Sequence, residues 1–97
     1  MEFEWDSNEA KMNQRKHGVA FKEAATVFRD PLSITIDDPD YSEEEDRYII
    51  IGLSDAGRLL IVSHTDRGSR TRIINARELT RSEREAYEEE IKRRKSR

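Results

Sequence analysis

The hydrophobic period of the chain changes at Asp30-Pro31, and this change constrains the fold more than any other feature of the sequence. Before it, apolar residues recur at i, i+3, i+4 and i+7, as Phe21, Ala24, Ala25 and Phe28. This is the spacing of one buried helix face. After it, residues 32–36 alternate apolar and small polar side chains, which is typical of a strand with one face in water. Because proline disfavours helical geometry in the residue before it, the helix should end at Asp30. The change of period then predicts helices before this point and a sheet after it.

A first helix is predicted ahead of this one. Asp6 can accept hydrogen bonds from first-turn amides, so the helix should begin there and run to about Lys16. Gly18 can take the left-handed conformation that ends a helix. Before this helix, the segment from Phe3 to Trp5 could form a short strand.

The second half of the chain predicts consecutive antiparallel strands. Tyr48–Leu53 is β-branched and apolar on both faces, as expected of an interior strand. Turns around Gly57 and Gly68 connect it to two further strands, and Thr80 opens a last helix through a capping box. We therefore predict an α+β fold, in which a small antiparallel β-meander sheet carries two N-terminal helices and a C-terminal helix. At 97 residues, 1–97 should form a single domain.

Charge is strongly segregated along the sequence. Residues 37–46 hold seven acids and no base, which indicates a solvated loop or a contact for a basic partner. Residues 63–77 hold four arginines against one aspartate, a local charge of +3 in a chain whose net charge is −3. A polyanion would respond to this local field rather than to the net charge.

Several classes of function find no support in the sequence. No apolar run of 18 residues is present, so a cytoplasmic chain without a membrane span is predicted. The chain has no cysteine, and its two histidines lie 47 positions apart without metal-ligand spacing. It also lacks the glycine-rich loops that hold nucleotide phosphates. We therefore expect no metal site and no cofactor.

The remaining chemistry is concentrated near the predicted last strand. The residues concerned are His64, Arg67, Arg70, Arg72 and Arg77, which we expect to lie near one another. Arg70 and Arg72 should share a face of the sheet, whereas Arg77 has the opposite parity and needs a bulge or the strand end to join them. Guanidinium groups bind phosphate oxygens well. The alternative is that these arginines only keep a face soluble or pair with the acidic loop, and spacing alone leaves both open.

Arginines beside a histidine suit metal-free RNA cleavage, because the substrate supplies its own 2′-hydroxyl. The protein then has to move protons and stabilise the charge on the phosphate. His64 is the candidate proton carrier, although a lone histidine is more often structural. His17 follows Lys16 at the predicted end of the first helix, where a histidine is well explained as a C-terminal cap that interacts with the helix dipole.

Three segments of the chain together resemble the BrnT family of bacterial type II toxins. They are residues 16–31 (KHGVAFKEAATVFRDP), residues 72–77 (RIINAR), and Glu83-Arg84 with Tyr87. The resemblance extends from Phe3 to about Glu88. Asn75 stands where the family segment usually has serine, and both arginines of that segment are present.

The resemblance implies a RelE-like fold and a metal-independent endoribonuclease that inhibits translation and growth. It also implies neutralisation by a BrnA-type antitoxin, whose ribbon-helix-helix domain binds operator DNA, in assemblies with two toxin copies. Operator DNA would be reached only through the antitoxin.

The site predictions combine this resemblance with the residue chemistry. Arg72 and Arg77 are predicted to bind phosphate and stabilise transition-state charge, with His64 as proton carrier. Arg67 and Arg70 are predicted RNA contacts, and Lys16 and His17 form a second basic edge. The rival interpretation is a non-catalytic module that binds nucleic acid or protein, as an adaptor or co-repressor would.

Overall fold

The structure, a computed structural model, describes residues 1–39 and 46–96. Its strands are β1 (Glu2–Glu4), β2 (Ile34–Asp37), β3 (Arg47–Leu53), β4 (Leu59–Arg67) and β5 (Arg70–Glu78). Its helices are α1 (Ser7–His17), α2 (Phe21–Thr26), which continues as a 3-10 turn over Val27–Arg29, and α3 (Arg81–Lys95). The predicted α+β class is confirmed. Most of the predicted acidic loop, residues 40–45, lies outside the described residues.

The five strands form one sheet in the order β1-β5-β4-β3-β2. Strands β2 to β5 are the predicted antiparallel meander. The short N-terminal strand adds one feature that the sequence did not indicate, because β1 pairs in parallel with β5, with Phe3 opposite Thr71. The sheet is therefore mostly, but not wholly, antiparallel.

The hydrophobic core lies between α1, α2 and one face of the sheet. Its buried residues are Val19, Phe21, Ala24, Val27, Ile50, Leu60, Val62, Ile73 and Ala76. The predicted helix ends are confirmed: the Asp6 side chain accepts from the Glu9 amide at 2.9 Å, and Gly18 ends α1 with a φ of 68°. The stripe beginning at Phe21 packs on the sheet as its period indicated, and α2 with its 3-10 turn ends before Pro31. Within the described ranges, none of the helices is long and apolar enough to cross a membrane.

A buried asparagine joins α1 to β5. Asn13 is 4% exposed, and its amide nitrogen donates to the carbonyls of Val19 at 2.9 Å and Ala76 at 2.8 Å. Its amide oxygen accepts from the Ala76 N–H at 3.0 Å. Since β1 pairs with β5 only as far as Arg72, the Asn13 amide satisfies backbone groups of β5 that the neighbouring strand does not reach.

A bulge in β5 changes which residues share a face. Opposite the consecutive residues Ser63 and His64 of β4 lie Asn75 and Ile73, so Ile74 has no partner in the register. A bulge of this kind shifts the alternation of the strand by one residue. The bulge thereby brings Arg77 to the same face as Arg72. From the sequence, Arg77 had the opposite parity and needed such a bulge to join the other arginines.

Candidate functional site

The sheet face opposite α1 and α2 carries most of the candidate arginines. Strand pairing places Arg47, Thr65, Arg72 and Glu4 in one row across β3, β4, β5 and β1. The next row, beside the β4–β5 turn, holds Arg67, Arg70 and Glu2. Neighbouring residues within a row lie on strands about 4.8 Å apart, and the two rows are two residues, about 7 Å, apart along the strands, so side chains of both rows are close enough to contact one polyanion. We call these seven residues the arginine face.

Arg72 lies at the centre of the arginine face. Its side chain is 28% exposed and donates from one terminal nitrogen to Glu4 Oε2 at 3.2 Å. Arg70 contacts Glu2 at 3.4 Å and the other oxygen of Glu4 at 3.8 Å. A guanidinium has five N–H donors. Most of those of Arg72 are therefore unoccupied by any described residue.

Arg67 completes the exposed end of this face. It pairs with Arg70 across the turn, where Gly68 has a φ of 61°. Among the residues described, no carboxylate lies within ion-pair distance of Arg67. Like charges placed opposite each other destabilise a strand pair, and at Arg70 this repulsion is offset in part by its contacts with Glu2 and Glu4. An anionic ligand bound by Arg67 and Arg70 would offset it further.

Arg77 shares the face but has different contacts. Its two terminal nitrogens donate to Glu83 at 2.8 and 3.0 Å, and one also contacts the Glu78 carbonyl at 3.2 Å. The bond from Arg77, followed by the bond from the Thr80 backbone amide, lowers the pKa of Glu83 to about 2. Glu83 also closes the capping box of α3 with Thr80. Arg77 thus attaches α3 to the sheet through both terminal nitrogens, whereas most N–H donors of Arg72 have no partner among the described residues.

The expectation that His64 lies beside the arginines is wrong. His64 pairs with Ile73 on the helix-covered face and is 5% exposed, while the next residue, Thr65, takes the place beside Arg72. Its Nδ1 lies 3.2 Å from the Val62 carbonyl, and its ring packs against Phe28 at a centroid distance of 4.8 Å. These are the contacts of a packed core residue, and the role of His64 as a proton carrier stays a prediction.

Burial of His64 has a consequence for stability. Loss of hydration lowers the pKa of His64 from 6.5, and the Val62 carbonyl and the Asp66 charge offset this in part. The unfolded chain therefore takes up this proton at a higher pH than the folded chain, so stability is lost as pH falls through about 6.5. We expect the urea unfolding free energy of wild type to fall more between pH 8 and pH 5.5 than that of His64→Gln.

The control is His17→Gln, which removes the other histidine and leaves His64 in place. Equal losses of unfolding free energy in wild type and His64→Gln would show that protonation of His64 does not limit stability in this range.

Lys16 and His17 are separated from the arginine face. Both lie in the last turn of α1, which packs against β5 on the core side of the sheet. The neighbouring Gly18 carbonyl accepts from Arg58 at 3.2 Å, near the other end of the sheet from the β4–β5 turn. The second basic edge is therefore not continuous with the first.

Sequence reasoning missed three charged residues of the site, Arg47, Glu4 and Glu2. Arg47 immediately precedes the predicted strand at Tyr48, and extending that strand by one residue would have placed it opposite Thr65. Glu4 lies in the predicted first strand, but no local signal indicates that this strand pairs with Arg72. Only the order of the strands in the sheet shows that these residues lie beside the predicted arginines.

The site has the chemical character of a surface for a polyanion. It presents four guanidinium groups and two carboxylates on one sheet face. In the described part of the chain, no cluster of three or more His, Asp or Glu side chains is placed to hold a metal ion. Fold and face together define a small α+β protein whose cationic sheet surface can bind phosphate groups.

Comparison with known proteins identifies the family. The family model for "Ribonuclease toxin, BrnT, of type II toxin-antitoxin system" matches residues 5–83. The chain therefore belongs to the BrnT family of ribonuclease toxins, as the sequence motifs indicated. Membership implies an RNA substrate and an antitoxin partner.

A solved structure supports the same fold. The crystal structure of the Brucella abortus ribonuclease toxin BrnT is 20% identical in sequence and superposes with a TM-score of 0.67, covering 84% of this chain and 99% of that one. At this identity the likeness demonstrates a shared fold. A comparison with curated protein sequences finds no match.

Proposed function

We propose that this chain, acting as a single domain in the cytoplasm, is a metal-independent endoribonuclease that inhibits translation and growth. The observation that carries the proposal is the partly exposed guanidinium of Arg72, most of whose N–H donors have no partner among the described residues, with Arg67 and Arg70 in the next row. The 2′-hydroxyl of RNA can act as the internal nucleophile, so cleavage requires proton transfer and charge stabilisation and no cofactor. Family membership supports RNA as the substrate.

The predicted residues take different roles in this proposal. Arg72 binds the scissile phosphate and stabilises its added charge, while Arg67 and Arg70 bind flanking phosphates. Arg77 stabilises the charge on the phosphate only when one of its two hydrogen bonds to Glu83 breaks and frees a terminal nitrogen. His64 stays a predicted proton carrier on which the proposal does not depend. Lys16 and His17 are proposed as a separate basic edge for a longer RNA.

The proposed partner is a BrnA-type antitoxin with a ribbon-helix-helix domain. Family membership supports an antitoxin, and the resemblance of the motifs supports this type of antitoxin, two toxin copies in each assembly and a RelE-like fold. Operator DNA would then be bound by the antitoxin and not by this chain. The neighbouring open reading frame provides a direct check, since it should encode a small protein with a ribbon-helix-helix pattern.

Cleavage of RNA in EDTA tests the proposed activity. We expect purified protein to cut a 5′-labelled RNA internally and to leave a 2′,3′-cyclic phosphate, and to leave DNA of the same sequence intact. Undiminished cleavage in EDTA is expected because the chemistry uses the 2′-hydroxyl and side chains alone. Cleavage of DNA, or loss of activity in EDTA that Mg²⁺ restores, would contradict the proposed mechanism.

A second candidate function is a non-catalytic module that binds nucleic acid or protein. One observation favours it: Arg70, Arg72 and Arg77 each have a carboxylate partner, so their charge is partly neutralised in the free chain. Expression of the chain in cells separates the two functions. Growth arrest that the neighbouring gene relieves would support the toxin, whereas tight RNA binding without cleavage or arrest would support the module.

A further inference from the structure

The arginine face contains a carboxylate placed to act on RNA. Glu4 lies in the same cross-strand row as Arg72 and is on the same side of the sheet. Its side chain is 26% exposed, with one oxygen 3.2 Å from Arg72 and the other 3.8 Å from Arg70. A phosphate held by the open N–H groups of Arg72 would place its ribose near this carboxylate.

The other groups that could accept a proton there are less suitable. His64 is buried on the opposite face. Glu83 is held by two bonds from Arg77 and by the Thr80 amide, and these bonds keep its pKa at about 2. Glu2 is 69% exposed at the outer row and contacts only Arg70 in the described residues. Glu4 is thus the one carboxylate in contact with Arg72 in the parts of the chain that the structure describes.

We propose that Glu4 is the general base of the cleavage reaction. This inference rests on the proposed ribonuclease function and assigns a residue to it. The Glu4 carboxylate takes the proton of the ribose 2′-hydroxyl, and the 2′-oxygen forms a bond to phosphorus. The bond from phosphorus to the 5′-oxygen breaks, and that oxygen leaves with a proton from water. The products are a 2′,3′-cyclic phosphate and a 5′-hydroxyl, and Glu4 returns its proton to solvent.

Glu4→Gln separates this role from a purely structural one. Glutamine is nearly isosteric and its amide oxygen can still accept from Arg72, but it is not a base. We expect Glu4→Gln to lower the single-turnover cleavage rate on the order of 100- to 10,000-fold, the usual contribution of a general base. Binding of a 2′-O-methyl RNA, which has no 2′-hydroxyl, should be unchanged or tighter because a negative charge is removed.

Glu85→Gln is the matched control, since Glu85 lies on α3 outside the arginine face, is 69% exposed and also pairs with an arginine, Arg81. It makes the same charge change, and its cleavage rate should stay within about threefold of wild type. Glu4→Asp, which retains a carboxylate, should recover part of the rate that Glu4→Gln loses. Thermal unfolding of all three variants checks that each is folded.

The outcomes distinguish this inference from the proposed function. Cleavage by Glu4→Gln at the wild-type rate would overturn the role of Glu4 and leave the ribonuclease proposal standing. Equal loss of activity in Glu4→Gln and Glu85→Gln would also overturn it, because the effect would then follow charge alone. Absence of RNA cleavage by wild type would overturn the ribonuclease proposal and, with it, the assignment of Glu4.

Discussion

Substitution of Arg72 by alanine is expected to lower the RNA cleavage rate on the order of 100- to 1,000-fold. One well-placed donor to a developing negative charge contributes about 3 to 4 kcal/mol to transition-state stabilisation, and Arg72 lies at the centre of the arginine face with most of its N–H donors unoccupied by described residues. Single-turnover rates with a labelled RNA in EDTA provide the measurement. Arg72→Lys should recover little, since an ammonium group cannot bind two phosphate oxygens in a planar bidentate arrangement.

The stability of Arg72→Ala should change by less than about 1 kcal/mol, because its ion pair with Glu4 is partly exposed. Arg81→Ala is the matched control: Arg81 is 94% exposed on α3, and its substitution makes the same charge change away from the face. Arg77→Ala should lower stability as well, since it releases Glu83 and with it the start of α3. A rate for Arg72→Ala within threefold of that for Arg81→Ala would remove Arg72 from the mechanism.

Substitution of Asn13 by alanine is expected to lower the free energy of unfolding by about 3 to 5 kcal/mol. It removes three hydrogen bonds and leaves buried backbone groups of Val19 and Ala76 without partners, and each such group costs about 1 to 3 kcal/mol. Small domains are stable by only about 5 to 15 kcal/mol, so much of the total would be lost. Urea unfolding measures the change.

Asn8→Ala is the control for Asn13, because Asn8 lies on the exposed side of the same helix. Asn13→Asp gives a second, independent result. It retains an acceptor for the Ala76 amide but directs a carboxylate oxygen at two carbonyls, so its loss should exceed that of alanine. A loss below about 1 kcal/mol for Asn13→Ala would show that water replaces the missing bonds.

The local elements were accessible from the sequence because their causes lie within a few residues. The helical spacing from Phe21, the Asp6 cap, the glycine that ends α1 and the Thr80 capping box each involve side chains at most seven positions apart. The turns at Gly57 and Gly68 follow from the backbone freedom of glycine, and both residues have positive φ. The meander of strands β2 to β5 then follows from short connections.

The candidate site was only partly accessible. The sequence placed Arg70, Arg72 and Arg77 on the last strand with Arg67 just before it, and it indicated that Arg77 would need a bulge to share their face. It grouped His64 with them because sequence proximity was taken for spatial proximity. In a strand, neighbouring side chains point to opposite faces. His64 therefore points into the core, whereas the next residue, Thr65, belongs to the arginine face.

The sequence by itself determined the order of helices and strands, their caps and turns, the family, and the concentration of arginines between residues 67 and 77. The tertiary structure alone decided which of these arginines is open and what accompanies it. The physical reason is that the register of the strands decides which face each side chain occupies and which residue it pairs with. One unpaired residue, Ile74, reverses the alternation of faces along β5. The partner of Arg72 is Glu4, 68 positions away, and only the parallel pairing of β1 with β5 brings the two together.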